Sequence, residues 1–135
     1  MGDFSAIDVS ASGLSAQRRR LDSIAENIAN AETTRTESGG PYRRRQVVFE
    51  ELATRELGRQ GVRVSAVQED PRPPHLVYRP GHPDADANGY VAMPNVNLVE
   101  EMVDMISATR SYEANATALN ATKAMARKAL ELGRG

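Results

Sequence analysis

The sequence predicts a mainly α protein with a small β insert: two long terminal helices pairing antiparallel in a coiled-coil-like core, joined by a short β-rich central segment. Three observations carry this expectation. Apolar residues recur at alternating three- and four-residue steps near each end of the 135-residue chain, which is the stepping of a helix seam. The middle breaks into short β-prone runs separated by Gly and Pro. Aromatic residues are scarce, with two Phe, four Tyr and no Trp, so a dense globular core is not expected.

The first seam runs through Phe4, Ile7, Ala11, Leu14, Leu21, Ala25 and Ile28, with Ile24 beside it and Arg18 as its one break. Asp, Ser, Gln and Arg fill most of the other positions. A helix over about residues 5–31 is predicted, opened by a Ser5–Asp8 capping box with Phe4 stapled onto Val9. Gly13 lies inside it, where glycine costs about 1 kcal/mol relative to alanine. With Ala11 and Ala16 nearby, Gly13 reads as a point of close approach by a neighbouring helix.

The closing seam runs through Leu98, Met102, Met105, Thr109, Tyr112, Ala116, Leu119, Lys123, Ala126 and Leu130, widened by Val99, Val103 and Ile106. Pro94 ends the preceding segment, Asn97 followed by Glu100 is an N-cap signal, and Gly133 is a natural stop. A helix over about 98–132 follows. Arg18 and Lys123 interrupt their seams with charge. If the helices pair antiparallel with ends level, Arg18 falls near Tyr112 and Glu113, which offers an ion pair or a ring face.

Between the seams, "TESGGPY" is a turn-rich connector. "YRRRQVVFEEL", "GVRVSAV", "HLVY" and "GYVAM" are four short β-prone runs, and Val62, Val64 and Ala66 alternate as in a half-buried strand. The organisation expected is a discontinuous helical core of residues 1–35 and 95–135 around a β-rich or irregular segment, 36–94. A 35-residue helix is about 50 Å long, whereas a compact chain of this size is under about 40 Å across. The terminal helices must therefore project, leaving apolar stripes for copies or relatives of the chain. Frayed termini and low helicity are expected of the isolated subunit, with ordering on assembly.

Bulk properties exclude several classes. A net charge of −1 argues against a polyanionic partner. Zero Cys excludes disulfides and thiolate metal sites. No apolar stretch is long enough to span a membrane. The N-terminus lacks the basic-then-apolar layout of a cleaved signal, and Arg18–Arg20 lead into "LDSIAENIAN" rather than an apolar run. By itself this points to a cytoplasmic chain or to export without a cleaved signal.

Candidate chemistry is thin. "DADANG", Asp84 to Gly89, matches the first half of a calcium loop, but Ala92 and Asn95 stand where its later ligands belong and Pro83 and Pro94 deny it flanking helices. A polar turn is the default reading; the alternative function is a calcium- or partner-binding helical module built on Asp84–Gly89. His75 and His82 with Asp84 and Asp86 lack the spacing of a zinc site. Asn115 and Asn120 head formal glycosylation acceptors inside a predicted helix and read as small polar positions beside the seam. The Arg43–Arg45 run reads as a solvated strand edge. Ser15 lacks the second glycine of a hydrolase elbow, and no histidine stands in a catalytic partnership. No enzyme, cofactor or metal is expected.

One stretch is richer than a helix end requires. In "NIANAETTRT", Ile28 closes the seam while Asn27, Asn30, Thr33 and Thr34 lie where helix becomes connector. Their side chains suit a junction that bonds exposed backbone groups of the helix end and of adjoining chains.

"SAIDVSASGLSAQRRRLDSIAENIANAETT" resembles the N-terminal signature of bacterial flagellar axial proteins, the rod and hook family, whose motif often has Asn-Asn where this chain has Glu26-Asn27. "GGPYRRRQVVFEE" and "LVYRPGHPDADANGYVAMPNVNLVEEMVDMISATRSYEAN" resemble its proximal-rod members, so the likeness covers nearly the whole chain. The resemblance implies a non-catalytic subunit of the basal-body rod, the drive shaft that carries motor torque through the periplasm. It implies terminal helices packed antiparallel into a helical tube, with the central piece outside them. The implied partners are further copies, other rod proteins of the FlgB and FlgF types, a FliE-type adaptor, and the flagellar type III export apparatus during secretion.

Overall fold

In a computed structural model, the backbone is described for residues 2–54 and 59–134 and the side chains for 6–51 and 61–134. Phe4 and its expected staple lie outside the described side chains. The elements are α1 (Gly2–Ala29), β1 (Arg45–Thr54), β2 (Arg59–Glu69), β3 (His75–Tyr78), β4 (Tyr90–Met93) and α2 (Leu98–Arg134). The mainly helical class, the two terminal helices and the four strands between them agree with the sequence expectation, although β1 and β2, at 10 and 11 residues, are longer than the short runs predicted. Helix ends differ from it. α1 begins at Gly2, so Ser5 stands inside its first turns rather than capping it, and α2 continues through Gly133. Asn97 does cap α2: its Oδ1 accepts the N–H groups of Val99 and Glu100 at 3.0 and 3.3 Å.

The helices pack antiparallel, and their register is fixed at two levels. Asn27 meets Glu101 at one end, and Gly13 faces Asn115 about three turns from the start of α1. The same register sets Arg18, which is exposed, level with Arg110 rather than with Tyr112 and Glu113. By this register α2 also overruns the start of α1, and residues 127–134 are all exposed.

Small and polar groups make the contact. Ala16, Ile24 and Ala108 are buried, Ala108 completely, together with Ser23, Asn27 and Glu101. On α2 the inward stripe is Glu101, Ala108, Asn115 and Thr122, spaced by heptads, with Met105, Ala116, Leu119 and Ala126 half-buried beside it. Leu98, Met102, Ile106, Tyr112 and Leu130 of the seam are exposed. On α1, Ile7, Leu14, Leu21 and Ile28 are half-buried, whereas Ala11 and Ala25 are exposed. A close helix pair favours the small face of α2, because bulky side chains would hold the backbones apart.

Two antiparallel hairpins occupy the middle. β1 and β2 pair from Arg45↔Glu69 to Thr54↔Arg59, with a slip that sets Val48 opposite Ala66 but Phe49 opposite Val64. Ser65 is the extra residue of this bulge, and its hydroxyl donates to the Val48 carbonyl at 3.3 Å. The hairpin lies along α1, not α2. Ser12 Oγ accepts the Val62 N–H at 3.1 Å, while the hairpin base is held near Asn27. β3 and β4 pair from His75↔Met93 to Tyr78↔Tyr90, with the two tyrosine rings edge-on at 5.3 Å. Gly89 closes their loop at φ 84°, and a Cβ there would stand 2.8 Å from Tyr78 Cε2, so this turn requires glycine.

Candidate functional site

The polar residues at the end of α1 converge on the start of β1. Asn27 is only 1% exposed, and both ends of its amide are spent. Its Nδ2 donates to the Arg45 carbonyl at 2.8 Å and to Glu101 Oε2 at 3.3 Å. Its Oδ1 accepts the Arg45 N–H at 2.9 Å and the Tyr42 hydroxyl at 2.8 Å. The side chain thus imitates a neighbouring strand, taking both backbone groups of Arg45, and Ser23 adds a hydroxyl to the same carbonyl at 3.2 Å. Burial raises the Tyr42 hydroxyl above its ordinary range, and Glu26, Glu101 and Glu69 add to that, while Arg45 works the other way.

Asn95 performs the matching task one residue earlier. Its Oδ1 accepts the Arg44 N–H at 2.7 Å, and its Nδ2 donates to the carbonyls of Asp70 and Arg72 at 3.1 and 2.9 Å. Between the two amides lies Arg44, whose side chain is 14% exposed. Its guanidinium donates to Glu101 through Nε, to Asp70 through Nη1 at 3.3 Å, and to Asp104 through Nη2 at 3.3 Å. Burial disfavours this cation, but Glu101 and Asp70 outweigh it and hold Arg44 above its ordinary value. Glu101, wholly buried on α2, is thereby tied to α1 through Asn27 and to β1 through Arg44. Helices and first hairpin meet in one charged cluster, where the sequence had suggested a solvated arginine run.

Asp70 directly follows β2 and is gripped from the other side. Arg72 donates from Nε, from Nη2 at 2.8 Å, and from its backbone N–H at 3.0 Å. The Arg72 side chain chiefly, against the opposing effect of burial and with help from Arg44, holds Asp70 at about 2 against an ordinary 3.8. Because the folded value is depressed, this stabilisation is complete above pH 3.8 and is lost as pH falls towards 2. The contribution is on the order of 1–2 kcal/mol, since solvent around the half-exposed Arg72 screens the pair. Asp70→Asn should destabilise the subunit by that amount at pH 7 and flatten its acid unfolding between pH 4 and 2. Wild-type acid sensitivity in the variant would show that Asp70 is not the titrating group.

The rest of the junction follows the connector. Asn30 Nδ2 bonds the Glu26 carbonyl at 2.9 Å, and the Thr33 hydroxyl bonds Asn30 Oδ1 at 3.1 Å. Thr34 and Arg35 reach the "DADANG" loop, donating to the two oxygens of Asp84 at 2.6 Å each. The Thr34 bond chiefly lowers the Asp84 carboxyl, with Arg35 and His82 assisting. Asp86 Oδ1 takes the N–H groups of Asn88 and Tyr90 at 2.9 Å, and His82 Nδ1 takes that of Asp84 at 3.0 Å. The carboxylates of the calcium-like loop are therefore used to fold it and to dock it on the junction.

A cavity of about 190 Å³ borders the cluster, lined by Arg20, Ser23, Ile24, Asn27, Arg45 and Val47 among others. That is below the ~300 Å³ at which small-molecule sites begin. Every buried side-chain polar atom among the described residues has a partner. The site can hold elements in place; its geometry offers no nucleophile–base pair.

Of the junction residues read from the sequence, Asn30 and Thr33 bond each other, Tyr42 links Thr33 to Asn27, and Thr34 turns instead to Asp84. Sequence reasoning missed Tyr42, Arg44, Asp70, Asn95 and Glu101. A usable signal existed for Glu101, which leads the heptad series continued by Ala108, Asn115 and Thr122.

Comparisons with known proteins agree with this architecture. Residues 7–35 match the family of flagella basal body rod proteins, and residues 87–132 match the flagellar basal body rod FlgEFG protein C-terminal family. The chain is 48% identical to the flagellar basal-body rod protein FlgC of Borreliella burgdorferi, with both chains fully covered. It is 48% identical to FlgC of Salmonella typhimurium, over 98% of this chain and 99% of that one. For FlgC of Bacillus subtilis the identity is 45%, over 99% and 100% of the two chains. The polar clamp and the paired terminal helices are thus those of a chain that belongs to the FlgC family of flagellar basal-body rod proteins.

Proposed function

We propose that this chain is a structural subunit of the proximal rod whose terminal segments, 1–35 and 95–135, form the packed shaft while residues 36–94 make the outer, lateral contacts. As a flagellar basal-body rod protein it assembles with other rod components and is not an enzyme. The carrying observation is a division of labour in its surface. Polar side chains of the junction are consumed inside the subunit, whereas large apolar side chains of α2 face outward. A shaft needs torsional stiffness, and subunits sharing one interdigitated core supply it. The buried clamp joining α1, β1, β2 and α2 keeps each subunit from shearing between its helices and its hairpin under torque. Among the described residues, no helix is long and apolar enough to cross a membrane.

The neighbours inferred are rod proteins of the FlgB and FlgF types and a FliE-type adaptor, reached after passage through the flagellar type III export apparatus. Ile28 and Leu119 are half-buried on α1 and α2. Ile28→Asp or Leu119→Asp should block rod completion and abolish swimming while the protein is still exported. Normal swimming by cells carrying either variant would sink the assignment of these helices to the shaft.

A further inference from the structure

Opposite the face that meets α1, the first three turns of α2 carry an apolar ridge. Leu98, Val99, Met102, Val103 and Ile106 are 44–69% exposed. At 100° per residue they centre roughly 150° from the inward Glu101–Ala108–Asn115 stripe. Farther along, the same side presents Glu113, Thr117, Asn120 and Lys128, so the ridge is bounded. A second apolar feature lies elsewhere on the chain. Val9 of α1 and Phe49 and Val62 of the hairpin, each 37–39% exposed, line an open groove of about 410 Å³ together with Gly61, Glu50 and Glu51. At interior packing density that volume holds about three aliphatic side chains.

We propose that the α2 ridge of one subunit seats in the α1–hairpin groove of a second copy of this chain, head to tail. This rests on the rod-subunit reading above and names one of its contacts. The argument is one of area and symmetry. The ridge offers roughly 500 Å², a large patch for a lone chain but short of the ~800 Å² per partner of a stable isolated pair. A contact of this size persists only when repeated. Ridge and groove are different surfaces, so joining them uses one of each and leaves one of each free, which lets the contact propagate. A ridge-to-ridge pair would close on itself and stop. Level along α1 also differs: Met102 lies beside Asn27, while the groove lies between Val9 and Ser12. For copies held parallel, that offset of about 16 helical residues sets a stagger of ~24 Å.

The chain has no cysteine, which makes the contact directly testable. Full-length Met102→Cys and Val62→Cys variants are prepared separately, mixed at concentrations where wild type sediments as an assembly, and oxidised. The mixed dimer should exceed either like-with-like dimer at least tenfold, and Met102→Glu should raise the concentration needed for assembly at least tenfold. Met102–Met102 linkage at comparable yield would overturn the head-to-tail contact, as would a wild type that stays monomeric at hundreds of micromolar. Failure of the rod reading shows separately, as normal swimming by the Ile28→Asp or Leu119→Asp strains.

Discussion

Glu101→Ala is expected to destabilise the subunit by about 3–5 kcal/mol, because it breaks a buried ion pair by removing one partner only. The carboxylate is wholly buried and accepts from Arg44 Nε and Asn27 Nδ2. Alanine leaves the guanidinium with Asp70 and Asp104 at 3.3 Å each, but with Nε facing a void. It also removes the Asn27 contact that joins α1 to α2. Glu101→Gln keeps the volume and one acceptor while giving up the charge, so a loss of about 1.5–3 kcal/mol is expected, the range of a hydrogen bond to a charged group. Urea unfolding followed by circular dichroism measures both. A loss under about 1 kcal/mol for Glu101→Ala would mean that water replaces the carboxylate at little cost and that the cluster is not the clamp described here. The order matters as much as the size: alanine must cost more than glutamine.

How far the sequence was legible varied by scale. Periodicity found both helices because a seam repeats over many turns, and Gly and Pro located the strands by interrupting it. The face of α2 that meets α1 was harder. A stepping pattern marks where large apolar residues lie, and on this helix many of them point away from α1, as Leu98, Met102 and Ile106 do. The inward residues are Glu101, Ala108 and Asn115, whose types resemble those of a solvated face. Asn27 and Thr34 stood out because polar residues were crowded at a helix end, and each has a partner across the junction. Arg44 did not stand out. Nothing local separates it from Arg43 and Arg45; its burial depends on Asp70 and Glu101, respectively 26 and 57 residues away. Buried charge is set by tertiary partners, and single-sequence patterns carry little of that information.

Gly13→Leu is the second large effect expected, a loss of about 2–3 kcal/mol from overpacking the helix contact. A Cβ on Gly13 would already stand 2.9 Å from Asn115 Nδ2 and 3.2 Å from its Cγ. Alanine and leucine should part company here. For Gly13→Ala the obstacle is the end of a flexible side chain, which can turn aside, and alanine recovers about 1 kcal/mol of helix propensity. The net change should lie within about 0.5 kcal/mol of zero. Leucine has branches that Asn115 cannot clear without moving α2, and α2 is pinned at Asn27 and Glu101. A double-mutant cycle separates contact from propensity. Asn115→Ala should rescue Gly13→Ala to about 0.5–1 kcal/mol above the Asn115→Ala background, and should rescue Gly13→Leu only in part. If Gly13→Leu proves as stable as wild type, α2 does not approach α1 this closely in solution, and the glycine is an ordinary surface residue. If Gly13→Ala alone loses more than about 2 kcal/mol, the approach is tighter than Asn115 allows, and the backbone of α2 itself must be the surface that alanine meets.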